Sequence, residues 1–374
     1  MVDYNKPVSG KHIFNALKDR GCIIMAANIR VQRSARGIME AAKELDSAVL
    51  FEIAKSEVGY TGQTPKDFYD NIVAIAEEIN FNTPYAIHGD HITIKDASPE
   101  AYKGAEDLIK AELAAGFTSY AIDASHNFNM SATDVSEQLK DNIDITKRLA
   151  KLIPEKYSLE VEVGEVGRTD PATGQKQLTT VEEAATFIKA LKDAGINPDL
   201  LATNNGTSHG NIFDKNGNVI AKVGIDLART KGIADAIKPY GVRVAQHGIT
   251  GTPLEFMDNL IDCGIAKGNV GTNWQNIAIE SFPPELVKRM EEWTLTCDEA
   301  KKTKAKKPQI TDKELIGKTI KNSLKVFKSD MAAIPDEYKK KFDAATRSSA
   351  LGFMNAFKSQ GTGSIVKEYI GKSG

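Results

Sequence analysis

The sequence predicts an α/β protein, a closed (β/α)8 barrel of the TIM type with a plug helix before it and a helical arm after it. Three observations carry this. Short β-branched or apolar runs alternate with longer amphipathic stretches from residue 22 to about 270. Eight such runs can be counted, where an open doubly wound sheet would more often stop at about five or six. The stretches between them carry helix start and stop signals.

Taken in chain order, a helix over residues 9–19 precedes the first strand and is placed to close the barrel bottom. Strands are predicted at 22–27, 48–53, 85–88, 119–123, 158–163, 200–202, 242–246 and 267–270. Thr64-Pro65 and Ser98-Pro99 set a capping hydroxyl ahead of a first-turn proline, and Thr180 with Glu183 forms a capping box. Gly116 and Gly264 stand where helices should end. After residue 299 the stretch KKTKAKKPQ reads as a basic, solvated connector, followed by helical sequence to the last residue. The expected organisation is therefore a catalytic barrel over 1–298 and a helical extension over 299–374, packed on the barrel or on a neighbouring subunit.

Composition narrows the function. The 374 residues are 41% hydrophobic and 26% charged, with 48 Lys+Arg against 50 Asp+Glu and a formal net charge of -2. That balance argues against a nucleic-acid footprint or a membrane-surface patch. Three cysteines, Cys22, Cys263 and Cys297, match neither a disulfide framework nor a metal knuckle. The first residues lack an apolar signal core, and no run reaches the ~18 apolar residues of a membrane span. A cytoplasmic enzyme acting on small molecules, with copies of itself as partners in a dimer or tetramer, is the expectation.

Barrel enzymes place their chemistry at the C-terminal ends of the strands. His88, His91, His126, His209 and His247 all fall at or just after predicted strands, and only His12 lies elsewhere. Three imidazoles from separate strands, His91, His209 and His247, form the ligand set of a zinc ion with an open position. Asp90, beside His91, is placed to move a proton. Asp123 joins the same rim, and Glu160 and Glu162 share one face of the fifth strand. An acid pair facing into a barrel demands a cation, either a metal or a buried lysine. Glycine-bearing turns at Gly206–Gly210, His247–Gly251 and Asn269–Thr272 offer backbone N–H groups to a phosphate.

These motifs, in this order, resemble the class II, zinc-dependent ketose-bisphosphate aldolases. His88-Gly89-Asp90-His91 is similar to the family's H-x-D-H, Asp123-Ala124-Ser125-His126 to its D-G-S-H, and Glu160-Val161-Glu162 to its acidic strand. Gly206–Gly210, His247–Gly251 and Lys267–Thr272 complete the series. The resemblance implies one catalytic zinc on His91, His209 and His247, with Glu162 and Asp123 as ligands of an alternative or second cation position, divalent or monovalent. It implies that Gly210, Gly248, Thr250, Asn269, Val270, Gly271 and Thr272 hold a dihydroxyacetone-phosphate half, that Asn28 touches the sugar, and that Asp170 stands for a mobile acid. Fructose 1,6-bisphosphate is the expected substrate, with tagatose bisphosphate or another ketose phosphate as the alternative. Two departures concern the other half of the substrate. Ala54 replaces a serine after the second strand, with Lys55 and Ser56 beside it, and no arginine occurs over 351–357, where Arg347 is the nearest. A Schiff-base aldolase is disfavoured because the sixth strand ends without a lysine. A non-catalytic sugar-phosphate binder is disfavoured by the retained Asp90.

Overall fold

The computed structural model describes residues 2–164, 177–206, 212–213, 219–220 and 224–373. Eight parallel strands close into a barrel: β1 (Ile24–Asn28), β2 (Val49–Ala54), β3 (Tyr85–Thr93), β4 (Ser119–Asp123), β5 (Ser158–Val163), β6 (Leu200–Thr203), β7 (Arg243–Gln246) and β8 (Ile265–Val270). Each pairs with its sequence neighbours, and β8 closes on β1. A two-stranded antiparallel ribbon, Ile212–Phe213 with Val219–Ile220, lies between β6 and β7 in the chain.

Side chains alternate along each strand, so one set fills the barrel and the other packs beneath the outer helices. The outer set includes Met25, Phe51, Ile87, Ile122 and Val161, buried in the main core. The inner set changes character along the strands: apolar at the start (Ile24, Leu50, Ala86, Leu200), polar further on (Asn28, Glu52, His88, Asp90, Glu160, Glu162). Helix Gly10–Ala16, whose N-cap Ser9 accepts from the Lys11 N–H, seals the apolar end with Ile13 and Phe14, joined by Leu17 just beyond it. Val366 and Ile370 from the last helix, Thr362–Ser373, join the same cluster.

The predicted caps are in place. Thr64 and Thr180 make capping boxes with Asp67 and Glu183, Ser98 caps Pro99–Ala115, and Gly116 (φ 104) and Gly264 (φ 85) take left-handed backbone after helices. Two expectations need correction. The lysine-rich stretch over 301–309 is solvated as expected, but its first six residues continue helix Asp298–Lys306. Asp298 and Glu299 in its first turn and Lys304 and Lys306 in its last suit the helix dipole, while Ala300 packs with Ile310 and Leu315. The third strand runs five residues past its predicted end at His88, to Thr93.

The residues after 299 return to the barrel. Helix Asp336–Ala356 lies along Ser34–Leu45, so closely that a Cβ on Gly37 would meet the Asp343 carbonyl at 2.6 Å. Phe353, Met354 and Phe357 belong to the main core.

Candidate active site

The extension of β3 aims two adjacent residues into one pocket. Neighbours on a regular strand face opposite sides, but the register of β3 against β4 shifts between Gly89 and Ile92. His91 sits there with φ 43, a left-handed conformation uncommon for a residue with a Cβ. Asp90 and His91 both line the pocket as a result.

Asp90 is 2% exposed and fully engaged: Oδ2 accepts from Asn28 Nδ2 at 3.0 Å and Oδ1 from Asn269 Nδ2 at 3.2 Å. Burial opposes its charge, but His91, Lys267 and His247 outweigh it and hold the carboxyl well below the usual carboxylate range. His91 Nδ1 lies 3.2 Å from Glu162 Oε2 and 3.4 Å from Asp123 Oδ2, and its ring meets that of His247 edge-on with centroids 4.3 Å apart. Asp123 is oriented by the backbone N–H and hydroxyl of Ser125. Burial and the neighbouring Asp123 push Glu162 up. Burial alone would lower His91, yet the carboxylates of Asp90 and Glu162 raise it well above the ordinary imidazole value.

This cluster fits a divalent cation on its donor chemistry. Ligand atoms of His91, Asp123 and Glu162 lie within 4.8 Å of one another, as do those of Asp90, His91 and His247. His247 Nε2 is 2.7 Å from Glu160 Oε1, the carboxylate–imidazole contact that fixes a ring and turns its other nitrogen toward a metal. Crowded carboxylates that push one of their number up are what a cation relieves.

One layer deeper, a buried lysine gathers two carboxylates and an imidazole around it, and burial still pushes the Glu52 carboxyl well up. Lys267, fully buried, lies 2.8 Å from Glu160 Oε2, 3.1 Å from Glu52 Oε2 and 3.2 Å from His88 Nε2. The His88 Nδ1 faces the Ser119 hydroxyl at 2.6 Å. Burial, then Lys267, lowers His88 to about 3, so it stays neutral and accepts from the lysine. Thus the acid pair of β5 is divided: Glu160 meets the buried lysine, and Glu162 meets the histidine cluster. His88 belongs to this floor rather than to the rim.

The pocket has a volume of about 310 Å³. Of the residues singled out from the sequence, Asn28, Asp90, His91, Asp123, His126, Glu162, His247, Gly248, Thr250, Asn269, Gly271 and Thr272 line it. Val270 does not; its side chain lies in the main core between strand and helix. Asp170, His209 and Gly210 lie outside the described residues. Arg347 pairs with Glu44 on the outer helices, and Lys55 donates to the Thr93 carbonyl at 2.6 Å. Ala54 and Ser56, the pair noted after the second strand, line it as well, whereas sequence reasoning missed Arg30, Glu57, Tyr60, Thr93 and Lys321. Arg30 was within reach, two residues past Asn28. Lys321 gave no signal, because only folding carries a residue so far along the chain back to the rim.

A closed barrel with imidazoles and carboxylates gathered at the C-terminal ends of its strands has the arrangement of a barrel enzyme whose site offers donors suited to a cation. The family model described as fructose-bisphosphate aldolase class-II matches residues 8–346, and the chain belongs to that family of lyases. It is 29% identical over 276 residues to the fructose-bisphosphate aldolase of Streptococcus pneumoniae serotype 4, covering 72% of this chain and 80% of the relative. It is 28% identical over 267 residues to the 6-phospho-5-dehydro-2-deoxy-D-gluconate aldolase of Bacillus licheniformis, covering 71% and 79%. In fold it is similar to the crystal structure of the YdjI aldolase from Escherichia coli K12, with a TM-score of 0.58, 19% identity and 95% and 99% of the two chains covered. It is also similar to the fructose-bisphosphate aldolase of Campylobacter jejuni, with a TM-score of 0.60, 18% identity and 96% and 97% covered.

Proposed function

We propose that the protein is a metal-dependent aldolase that reversibly cleaves a ketose phosphate into dihydroxyacetone phosphate and an aldehyde. The observation that carries this reading is the meeting of Asp90 with the His91, His247, Asp123 and Glu162 cluster in one pocket. His91 and His247 would hold a zinc ion together with His209, and Glu162 and Asp123 would serve a second or alternative cation position. Bound there, the ion supplies Lewis-acid polarisation of the substrate's carbonyl.

The remaining work belongs to side chains. Asp90 takes the proton of the C4 hydroxyl in cleavage and returns it in condensation. The amides of Asn28 and Asn269 hold its two oxygens in place, one donor to each. Gly248, Thr250, Gly271 and Thr272, at the ends of β7 and β8, present small side chains and N–H groups suited to a phosphate. Lys267 sits too deep and too tightly paired, between Glu52 and Glu160, to attack a carbonyl. Among the described residues no helix is long and apolar enough to cross a membrane.

The test is a coupled triose-phosphate assay with fructose 1-phosphate and fructose 1,6-bisphosphate as substrates. Turnover should vanish on chelation and return with zinc. Turnover indifferent to chelator, with a lysine adduct trapped by borohydride, would overturn the reading.

A further inference from the structure

The wall of the pocket on the β2 side is closed by an anion that the protein supplies itself. Glu57, on helix Lys55–Thr61 directly after β2, is 3% exposed and lines the pocket. Its Oε1 accepts from Arg30 Nε at 2.6 Å and from the Tyr60 hydroxyl at 3.3 Å. Its Oε2 accepts from the Ala54 N–H at 2.9 Å and from Asn28 Nδ2 at 3.2 Å. A guanidinium, a backbone N–H, an amide and a hydroxyl converging on one point are the donors with which proteins hold a phosphate. Here the Glu57 carboxylate takes all four. Arg30 also gives its Nη1 to Thr272 Oγ1 and Gln275 Oε1.

Position gives this arrangement its meaning. The glycine turns suited to the first triose's phosphate end β7 and β8, and Asp90 stands at the bond to be cleaved. The carbons beyond C4 must therefore extend past Asp90 toward β2, between Ser56, Glu57, Tyr60 and Lys321. The Asn28 amide touches Asp90 and Glu57 together, at 3.0 and 3.2 Å, so Glu57 stands one side chain away from the departing aldehyde. Lys321, from the short turn Ile320–Asn322, lies with its ammonium 5.3 Å from the Tyr60 ring centre and brings a single positive charge to this end.

We propose that Glu57 excludes phosphate from the aldehyde half, so that the natural substrate is a ketose 1-phosphate whose other end is unphosphorylated. This rests on the aldolase reading above and narrows it. A phosphate dianion entering that sector would face the Glu57 carboxylate, to which the Arg30 Nε–H, the Ala54 N–H and the Asn28 amide are already given. A neutral hydroxyl meets Lys321 without that conflict.

The test uses the full-length, zinc-loaded enzyme. kcat/KM for fructose 1-phosphate should exceed that for fructose 1,6-bisphosphate by about tenfold or more, and Glu57→Gln should move the ratio toward the bisphosphate by about tenfold. Condensation by the unaltered enzyme needs no variant: dihydroxyacetone phosphate should react faster with glyceraldehyde than with glyceraldehyde 3-phosphate. A preference of the unaltered enzyme for the bisphosphate, in either direction of the reaction, would overturn the role of Glu57 and leave the aldolase reading standing. Failure to cleave either sugar, together with no proton exchange into dihydroxyacetone phosphate, would overturn the aldolase reading and this proposal with it.

Discussion

At the N-terminal mouth of the barrel, Ile13, Phe14 and Leu17 press on Ile24, Leu50, Ala86 and Leu200; at the C-terminal mouth the same strands end beside Asn28, Ala54, Asp90 and Asn204. Between the two lies a middle layer of Glu52, His88, Glu160 and Lys267, as dry as the plug and as charged as the rim. The contrast teaches what depth demands. With no water to help, middle-layer charges must answer one another, whereas the rim leaves carboxylates and imidazoles crowded together for a cation and a substrate to complete. A β-strand can make this change within six residues because its inward positions are only every second one.

The sharpest way to break the comparison is to remove the cation of the middle layer. Lys267→Met leaves Glu160 without its ammonium and should lower unfolding stability by about 3–5 kcal/mol, read from urea titration. It should weaken zinc binding as well, since Glu160 fixes His247. Unchanged stability would mean that the middle layer is not self-paired as described. The plug should respond differently. Phe14→Ala should cost about 3 kcal/mol of stability, the usual range for a large buried aromatic, while kcat/KM changes less than about twofold. A large kinetic loss in a folded Phe14→Ala enzyme would show the two mouths to be coupled. The smallest effect belongs to the outer surface. Arg347, half-exposed and paired with Glu44, should cost less than about 1 kcal/mol when changed to alanine and leave both sugars' kinetics unaltered. A selective loss of bisphosphate cleavage would return Arg347 to the pocket.

Much of the rim was legible in the sequence because its signals are local. Asp90 with His91, Glu160 with Glu162, and the turns at His247 and Asn269 each sit where a strand ends, and strand ends follow from periodicity and caps. β4 and β5 were placed with the bounds found in the structure. What could not be read depends on distance or on irregular geometry. The bulge that brings Asp90 and His91 to one side leaves no mark in the pattern, so β3 was ended at His88. The sorting of Glu160 to Lys267 and of Glu162 to His91 needs the barrel closed, because β5 and β8 are far apart in the chain. The capture of Glu57 by Arg30 and Asn28 joins the ends of β1 and β2 through a short helix, and Lys321 reaches the rim from the extension. Helix Asp298–Lys306 reads in the sequence as a connector because its charges outweigh the single buried Ala300.

Asp90→Ala tests the central claim most directly, because it removes the proton carrier while leaving the cation cluster its imidazoles. Release of dihydroxyacetone phosphate from fructose 1-phosphate should fall by about 100-fold or more, the scale of a positioned general base, with zinc content unchanged and dihydroxyacetone phosphate still bound. A zinc-loaded Asp90→Ala enzyme that cleaves the sugar at near the unaltered rate would contradict the account.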